Sequence, residues 1–278
     1  MSYKTILAVL QDETDARRVL DCIAPLAERF SAHVIGVHAE PLPVPYATPM
    51  GFPDADFMVT SSETNKERSE AMRRMFDDQM SRSGVSAEWR ALESFSGDSA
   101  ISSLESARAV DLIVVQQRDP SSHLPGTNVD ALLLQTGRPV LFVPYAMPVN
   151  TRFETILVGW NGTRESTRAV FDALPFLTAA RQVEVFTVDP DRYGGHASMT
   201  AGGQIAAALS RHGVRVTVQS QHKSELTHGE AIQNRAVELG ADLLVTGAYS
   251  QSKLKEFFFG GVTKTVLDSM PTATFMSR

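Results

Sequence analysis

The chain is expected to fold as two tandem α/β domains, each built on a five-stranded, doubly wound parallel sheet. One reason is an internal duplication: Lys4-Thr5-Ile6-Leu7-Ala8-Val9 returns as Glu154-Thr155-Ile156-Leu157-Val158-Gly159, and Val110-Asp111-Leu112-Ile113-Val114-Val115 returns as Ala241-Asp242-Leu243-Leu244-Val245-Thr246. A period of half the chain is far longer than the roughly 20–50 residues of a solenoid unit, so each copy is a domain with its own core. The second reason is length, since 278 residues suit two domains of about 140 residues, close to the commonest size. The third is that short aliphatic runs alternate with helical patterns, the signature of a parallel sheet covered on both faces.

The first copy opens with the buried-strand run Thr5–Leu10, followed by Asp12-Glu13-Thr14-Asp15, a cluster of helix-capping residues. From Ala16 to about Phe30, Val19, Ile23, Leu26 and Ala27 recur at helical spacing. His33–Val37 reads as the second strand and Ala87–Leu92, with Trp89, as the third. Between them Thr60 to Ser83 forms a long polar helix with Met72, Met75, Phe76 and Met80 on one face. Gly97-Asp98 opens a helix reaching about Ala109; Asp111–Val115 and Pro139–Val143 complete the strands. The second copy repeats the order, with strands near Thr155–Trp160, Val183–Val188, Val214–Gln219, Asp242–Thr246 and Thr272–Met276.

Composition narrows the function classes. The net charge of −6 is spread over intermixed acidic and basic residues, so no basic stripe exists to displace counterions from nucleic acid. The single cysteine, Cys22, lies within a helical pattern as a small core residue, and it leaves no disulfide framework or CxxC motif. No apolar run of about 18 residues suggests a membrane span, and the chain enters a strand by Thr5 without a leader, so a soluble cytoplasmic protein is expected.

The copies differ in length. From the first strand to the glycine opening the third helix, the N-terminal copy spans 97 − 6 = 91 residues and the C-terminal copy 229 − 156 = 73, an excess of 18. The surplus lies around Pro41-Leu42-Pro43-Val44-Pro45-Tyr46 and Pro49-Met50-Gly51-Phe52-Pro53, read as a stiff surface loop, with a partner-docking arm as the alternative. Residues 145 to 153 form a short linker between a domain at 1–146 and a domain at 152–278, and its brevity argues for closely associated domains.

Open α/β sheets bind ligands beyond the carboxyl ends of their strands. In the C-terminal copy the first strand runs into Trp160-Asn161-Gly162-Thr163. The fourth runs into Gly247-Ala248-Tyr249-Ser250, and Gly260-Gly261-Val262-Thr263 then opens a helix. Glycines at a strand exit and a helix start let backbone N–H groups approach a phosphate, and the helix N-terminus favours its charge.

On these residues the chain resembles the universal stress protein family. The likeness rests on Ile156-Leu157-Val158 before a polar turn, the strand Ala241-Asp242-Leu243-Leu244-Val245 and the glycine-spaced loop behind it, as a tandem member covering the whole chain. The resemblance implies Rossmann-like, adenine nucleotide alpha hydrolase-like domains with sheet order 3-2-1-4-5, paired through their last strands as an internal pseudo-twofold dimer, with Pro139–Val143 beside Thr274–Met276. It implies ATP or AMP, with magnesium, as ligand. The family's loop is G-x2-G-x9-G-[S/T]; here Gly247 and Gly260 match, Ser250 stands at the second glycine and Gly261 at the Ser or Thr, while Thr263 supplies a hydroxyl one turn in. Asn161 occupies the position of the family's first-strand aspartate, and Val188 that of its backbone contact to adenine. The candidate site is therefore Asn161, Gly162, Thr163, Val188, Gly247, Ser250, Gly260, Gly261 and Thr263. In the N-terminal copy Gln116 replaces the strand-exit glycine and Gln11 the aspartate. Its loop from Asp111 to Gly126 spans 15 residues against 18 from Asp242 to Gly260, with Pro120 and Pro125 inside; only Gly126-Thr127 matches, so this site is degenerate.

Other chemistries find little support. GxSxG and GxxxxGK[ST] are missing. His222, Glu225, His228 and Glu230 are the one local cluster of metal-capable side chains, without a fixed ligand spacing. Phe257-Phe258-Phe259 reads as buried, Lys253, Lys255 and Lys264 as solvated, and His33 and His38 as structural. Two functions from different classes follow: a nucleotide-binding regulator of the stress response that acts on a protein partner, alone or as a homodimer, or a scaffold with both sites decayed. No enzymatic activity beyond slow ATP hydrolysis is expected.

Overall fold

The computed structural model describes residues 2–43, 55–121, 127–189, 198–222, 225–249 and 261–278. Most of the proline-rich stretch, Gly126, and the loop from Ser250 to Gly260 with its lysines and phenylalanines lie outside the described residues. Contacts divide the chain into two compact units, Lys4–Thr136 and Met1–Tyr3 with Gly137–Arg278.

In the N-terminal unit the elements run β1 Thr5–Val9, α1 Glu13–Phe30, β2 His33–Pro41, α2 Ala55–Arg82, β3 Ala87–Ser94, α3 Ser99–Ser102, α4 Leu104–Arg108, β4 Leu112–Gln116 and α5 Val129–Gln135. The strands pair in parallel in the order β3-β2-β1-β4, with Leu7 opposite both Ile35 and Ile113. Each element follows from local chemistry. Residues 6–9 and 112–115 are fully buried, as an aliphatic strand covered on both faces must be. Asp12 caps α1, accepting from the N–H of Thr14 and Asp15 while the Asp15 carboxylate reaches back to the Asp12 N–H, a reciprocal capping box. One face of α1 buries Val19, Leu20, Cys22, Ile23, Leu26 and Ala27. Along α2, Met72, Phe76 and Met80 are buried, and Phe76 meets Trp89 at 5.4 Å between ring centroids. Gly36 makes room for that pair, since a Cβ there would lie 2.6 Å from the Phe76 ring.

The C-terminal unit runs β5 Val140–Val143, β6 Thr155–Gly159, α6 Arg164–Asp172, α7 Leu174–Leu177, β7 Gln182–Val188, α8 Ser198–Arg211, β8 Val216–Gln221, α9 His228–Leu239, β9 Leu243–Gly247, a helix at Val262–Asp268 (α10) and β10 Ala273–Ser277. Its parallel order β8-β7-β6-β9-β10 is the expected 3-2-1-4-5. The fully buried β5 joins this unit by pairing antiparallel with β10, Leu141 opposite Phe275. The pairing of last strands implied by the resemblance is thus present.

The duplicated aspartates have the same structural task. Asp111 accepts from the N–H of Lys4 and Thr5 at 2.7 and 3.0 Å, and Asp242 from those of Glu154 and Thr155 at 2.9 and 3.0 Å. Asp111 satisfies the amino end of β1 and Asp242 that of β6. The helix expected from Gly97 to about Ala109 is divided at Ser103 into α3 and α4, and the Ser103 hydroxyl donates to the Ala100 carbonyl.

Candidate functional site

The carboxyl ends of β1 and β2 can be compared position by position with those of β6 and β7. Leu10 N–H donates to the Val37 carbonyl at 3.0 Å and Trp160 N–H to that of Phe186 at 2.9 Å. Leu10, Gln11, His38, Ala39 and Glu40 therefore correspond to Trp160, Asn161, Thr187, Val188 and Asp189. The residue after each helix cap corresponds too, Ser99 behind Asp98 and His228 behind Thr227.

In the N-terminal unit this region is filled by its own side chains. Gln11 Nε2 donates to the Gly97 carbonyl at 2.8 Å and its Oε1 accepts from Ser99 N–H at 2.9 Å. Ser99 Oγ donates to the Leu10 carbonyl at 2.7 Å and accepts from Ala39 N–H at 3.0 Å. His38 Nδ1 lies 3.0 Å from the same carbonyl, so that nitrogen carries a proton. His38 Nε2 sits 3.0 Å from Glu40 Oε1, which Arg68 also binds through Nε at 2.9 Å. Burial pushes the Glu40 carboxyl up, but the hydrogen bonds from His38 and Arg68 outweigh it and hold it below the usual range. Beneath them burial, reinforced by the charge of Asp12, pushes Asp15 up to about 7, against the backbone N–H groups of Asp12 and Gln11. Gln116, at the strand exit, keeps a buried Oε1 without a hydrogen-bond partner.

The C-terminal unit lacks this plug. Asn161 turns inward, its Oδ1 accepting from Thr163 N–H and Oγ1 at 3.2 and 2.7 Å, and Thr163 caps α6 through Ser166 N–H. Gly162 makes that turn possible with φ of 71° and open space around it. Thr187 Oγ1, Trp160 Nε1 and His228 Nε2 are buried and have no hydrogen-bond partner. Thr187 is only 7% exposed, and His228 Nε2 stands 3.7 Å from Asp189 Oδ2. No described side chain bridges the Trp160 carbonyl and the Val188 N–H as Ser99 bridges their counterparts. A buried polar group without a partner costs about 1–3 kcal/mol, so this unit presents a set of unmet bonds.

The remaining candidate residues lie at the adjoining strand exit. A Cβ on Gly247 would fall 2.5 Å from Ser166 N and 2.6 Å from Glu165 C, which places the start of α6 directly on β9. Tyr249, with φ of 52°, donates its N–H to Thr263 Oγ1 at 3.0 Å, and Gly261 begins α10 without a side-chain cap. Contacts thus join the Asn161–Thr163 turn to Gly247 through α6, and Tyr249 to Thr263; Ser250 and Gly260 lie outside the described residues. Glu230 is spent on the Thr227 capping box, and among the described residues no group of three or more His, Cys, Asp or Glu could hold a metal ion. Sequence reasoning missed Thr187 and the His228–Asp189 pair; only the internal alignment could have singled them out.

Comparison with known proteins gives one family. The model of the universal stress protein family matches residues 2–144 and 152–278. A universal stress protein from Archaeoglobus fulgidus DSM 4304 superposes with a TM-score of 0.74 at 16% identity, over 99% of this chain and 98% of that one. A functionally unknown protein from Pseudomonas aeruginosa PAO1 follows the same fold at a TM-score of 0.60 and 15% identity, over 99% and 92% of the two chains. No curated protein matches the sequence significantly. Among the described residues no helix is long and apolar enough to cross a membrane.

Proposed function

Since the chain belongs to the universal stress protein family, we propose that it is a cytoplasmic, adenine-nucleotide-binding regulator of the stress response whose single site lies in the C-terminal unit. The observation that carries this reading is the asymmetry of the two crevices. Ser99 donates to a first-strand carbonyl and accepts from a second-strand N–H; the same acceptor and donor on Trp160 and Val188 await a ligand. The edge of adenine offers that complement, with an amino group that donates and a ring nitrogen that accepts. Asn161, Gly162 and Thr163 would flank the base or ribose. Gly247, Ser250, Gly260, Gly261 and Thr263 would line the phosphates of ATP or AMP, where magnesium would offset charge. Occupancy would alter the surface offered to a protein partner, and no catalytic group is assigned.

Calorimetric titration with ATP and AMP tests this: about one site per chain is expected. Gly260→Val should weaken binding by about 1–3 kcal/mol through lost charge-assisted backbone donors, whereas Gly126→Val should leave it unchanged. No heat at millimolar nucleotide, or a ligand confined to the N-terminal unit, would overturn the proposal. The scaffold reading has its own support, because Asn161, Gly247 and Thr263 each already serve the fold.

A further inference from the structure

Resting on the nucleotide reading, we infer that His228 and Asp189 form a base-reading pair, with Asp189 accepting from the 6-amino group of a purine and His228 donating to its N7. His228 follows the cap of a twelve-residue helix, at the position from which Ser99 reaches between the first two strands of the other unit. Its longer side chain carries Nε2 onward to 3.7 Å from Asp189 Oδ2. That nitrogen is buried and has no hydrogen-bond partner, and the same holds for the hydroxyl of Thr187 two residues before Asp189. A carboxylate only accepts, and an imidazole Nε2–H donates, so the pair displays an acceptor beside a donor. Adenine presents the complement on one edge, the N6 amino donor beside the N7 acceptor, whereas a 6-oxopurine sets two acceptors there and directs one at the carboxylate.

The probes are AMP, 7-deaza-AMP, which lacks the N7 acceptor, and IMP, which carries an oxo group at position 6. They are titrated into the full chain by calorimetry, with folding of each variant checked by circular dichroism. The wild-type chain should bind AMP about 10-fold or more tighter than either analogue, the size of one good bidentate base contact. His228→Ala should bind AMP and 7-deaza-AMP equally, and His228→Gln, which keeps an N–H donor, should restore the difference. Asp189→Asn should narrow the gap between AMP and IMP. An unchanged AMP to 7-deaza-AMP ratio in His228→Ala, or equal weakening of both, would overturn the pair while leaving the nucleotide site standing. Failure of the wild-type chain to bind AMP would overturn both.

Discussion

Replacing Gly247 by alanine tests whether this glycine serves the fold before it serves any ligand. The added methyl would fall 2.5 Å from Ser166 N and 2.6 Å from Glu165 C. Both are backbone atoms of the first turn of α6, so no side-chain rotation relieves the clash. The helix, which buries Glu165, Ser166, Ala169 and Val170, must shift off β9. Overpacking of this kind costs about 1–3 kcal/mol, which at roughly 2–4 °C per kcal/mol for a unit of this size lowers Tm by roughly 2–12 °C. Gly203→Ala is the control: it lies exposed within α8 with nothing within 4 Å of a Cβ, and should gain about 0.5–1 kcal/mol from reduced chain entropy. Differential scanning calorimetry without nucleotide reads both. A Gly247→Ala variant melting with the wild-type chain would show that α6 yields freely, and the close approach would not explain the glycine.

Three other outcomes are expected. Asp15, raised to about 7 in the folded chain, keeps its proton where the unfolded chain has released it. Its contribution to stability therefore falls as pH rises from about 4 to 7, and urea titrations across that range should lose this slope in Asp15→Asn. Arg235 holds the buried Glu184 by two hydrogen bonds of 2.7 and 2.8 Å. With the arginine partly in solvent, Arg235→Ala should cost about 3 kcal/mol, the low end for an uncompensated buried charge, and adding Glu184→Gln should recover much of it in chemical denaturation. Leu141→Ala removes a fully buried side chain opposite Phe275 in the β5–β10 pair and should cost about 2–5 kcal/mol; chemical denaturation at wild-type stability would discount that pairing.

Much of the fold was legible because it is written in local patterns. Every strand lay within two or three residues of its expected bounds except β2, which runs on to Pro41 and keeps Glu40 buried inside the sheet. The break at Ser103 was not visible, because no proline or glycine marks it and the backbone N–H and carbonyl of Ser103 keep helical partners in Ser99 and Ala107. The candidate site was legible only as strand ends. Gln11 reaches Gly97 and Ser99 across some 86 residues, and no periodicity encodes such a bond. Gly247 was read as making space for a phosphate; the structure gives it a neighbour, the start of α6.

The antiparallel pair of β5 and β10 also bears on how the chain is made. Leu141 and Phe275, which face each other, are 275 − 141 = 134 residues apart. At about 5–20 residues per second, a ribosome needs roughly 7–27 s to deliver the second after the first. Throughout that interval Val140-Leu141-Phe142-Val143, buried in the finished protein, has no β10 to cover its edge. The nascent chain thus carries a short aliphatic strand ready to pair with a neighbour on the same message, and holdase chaperones that bind apolar segments have there a natural place to act.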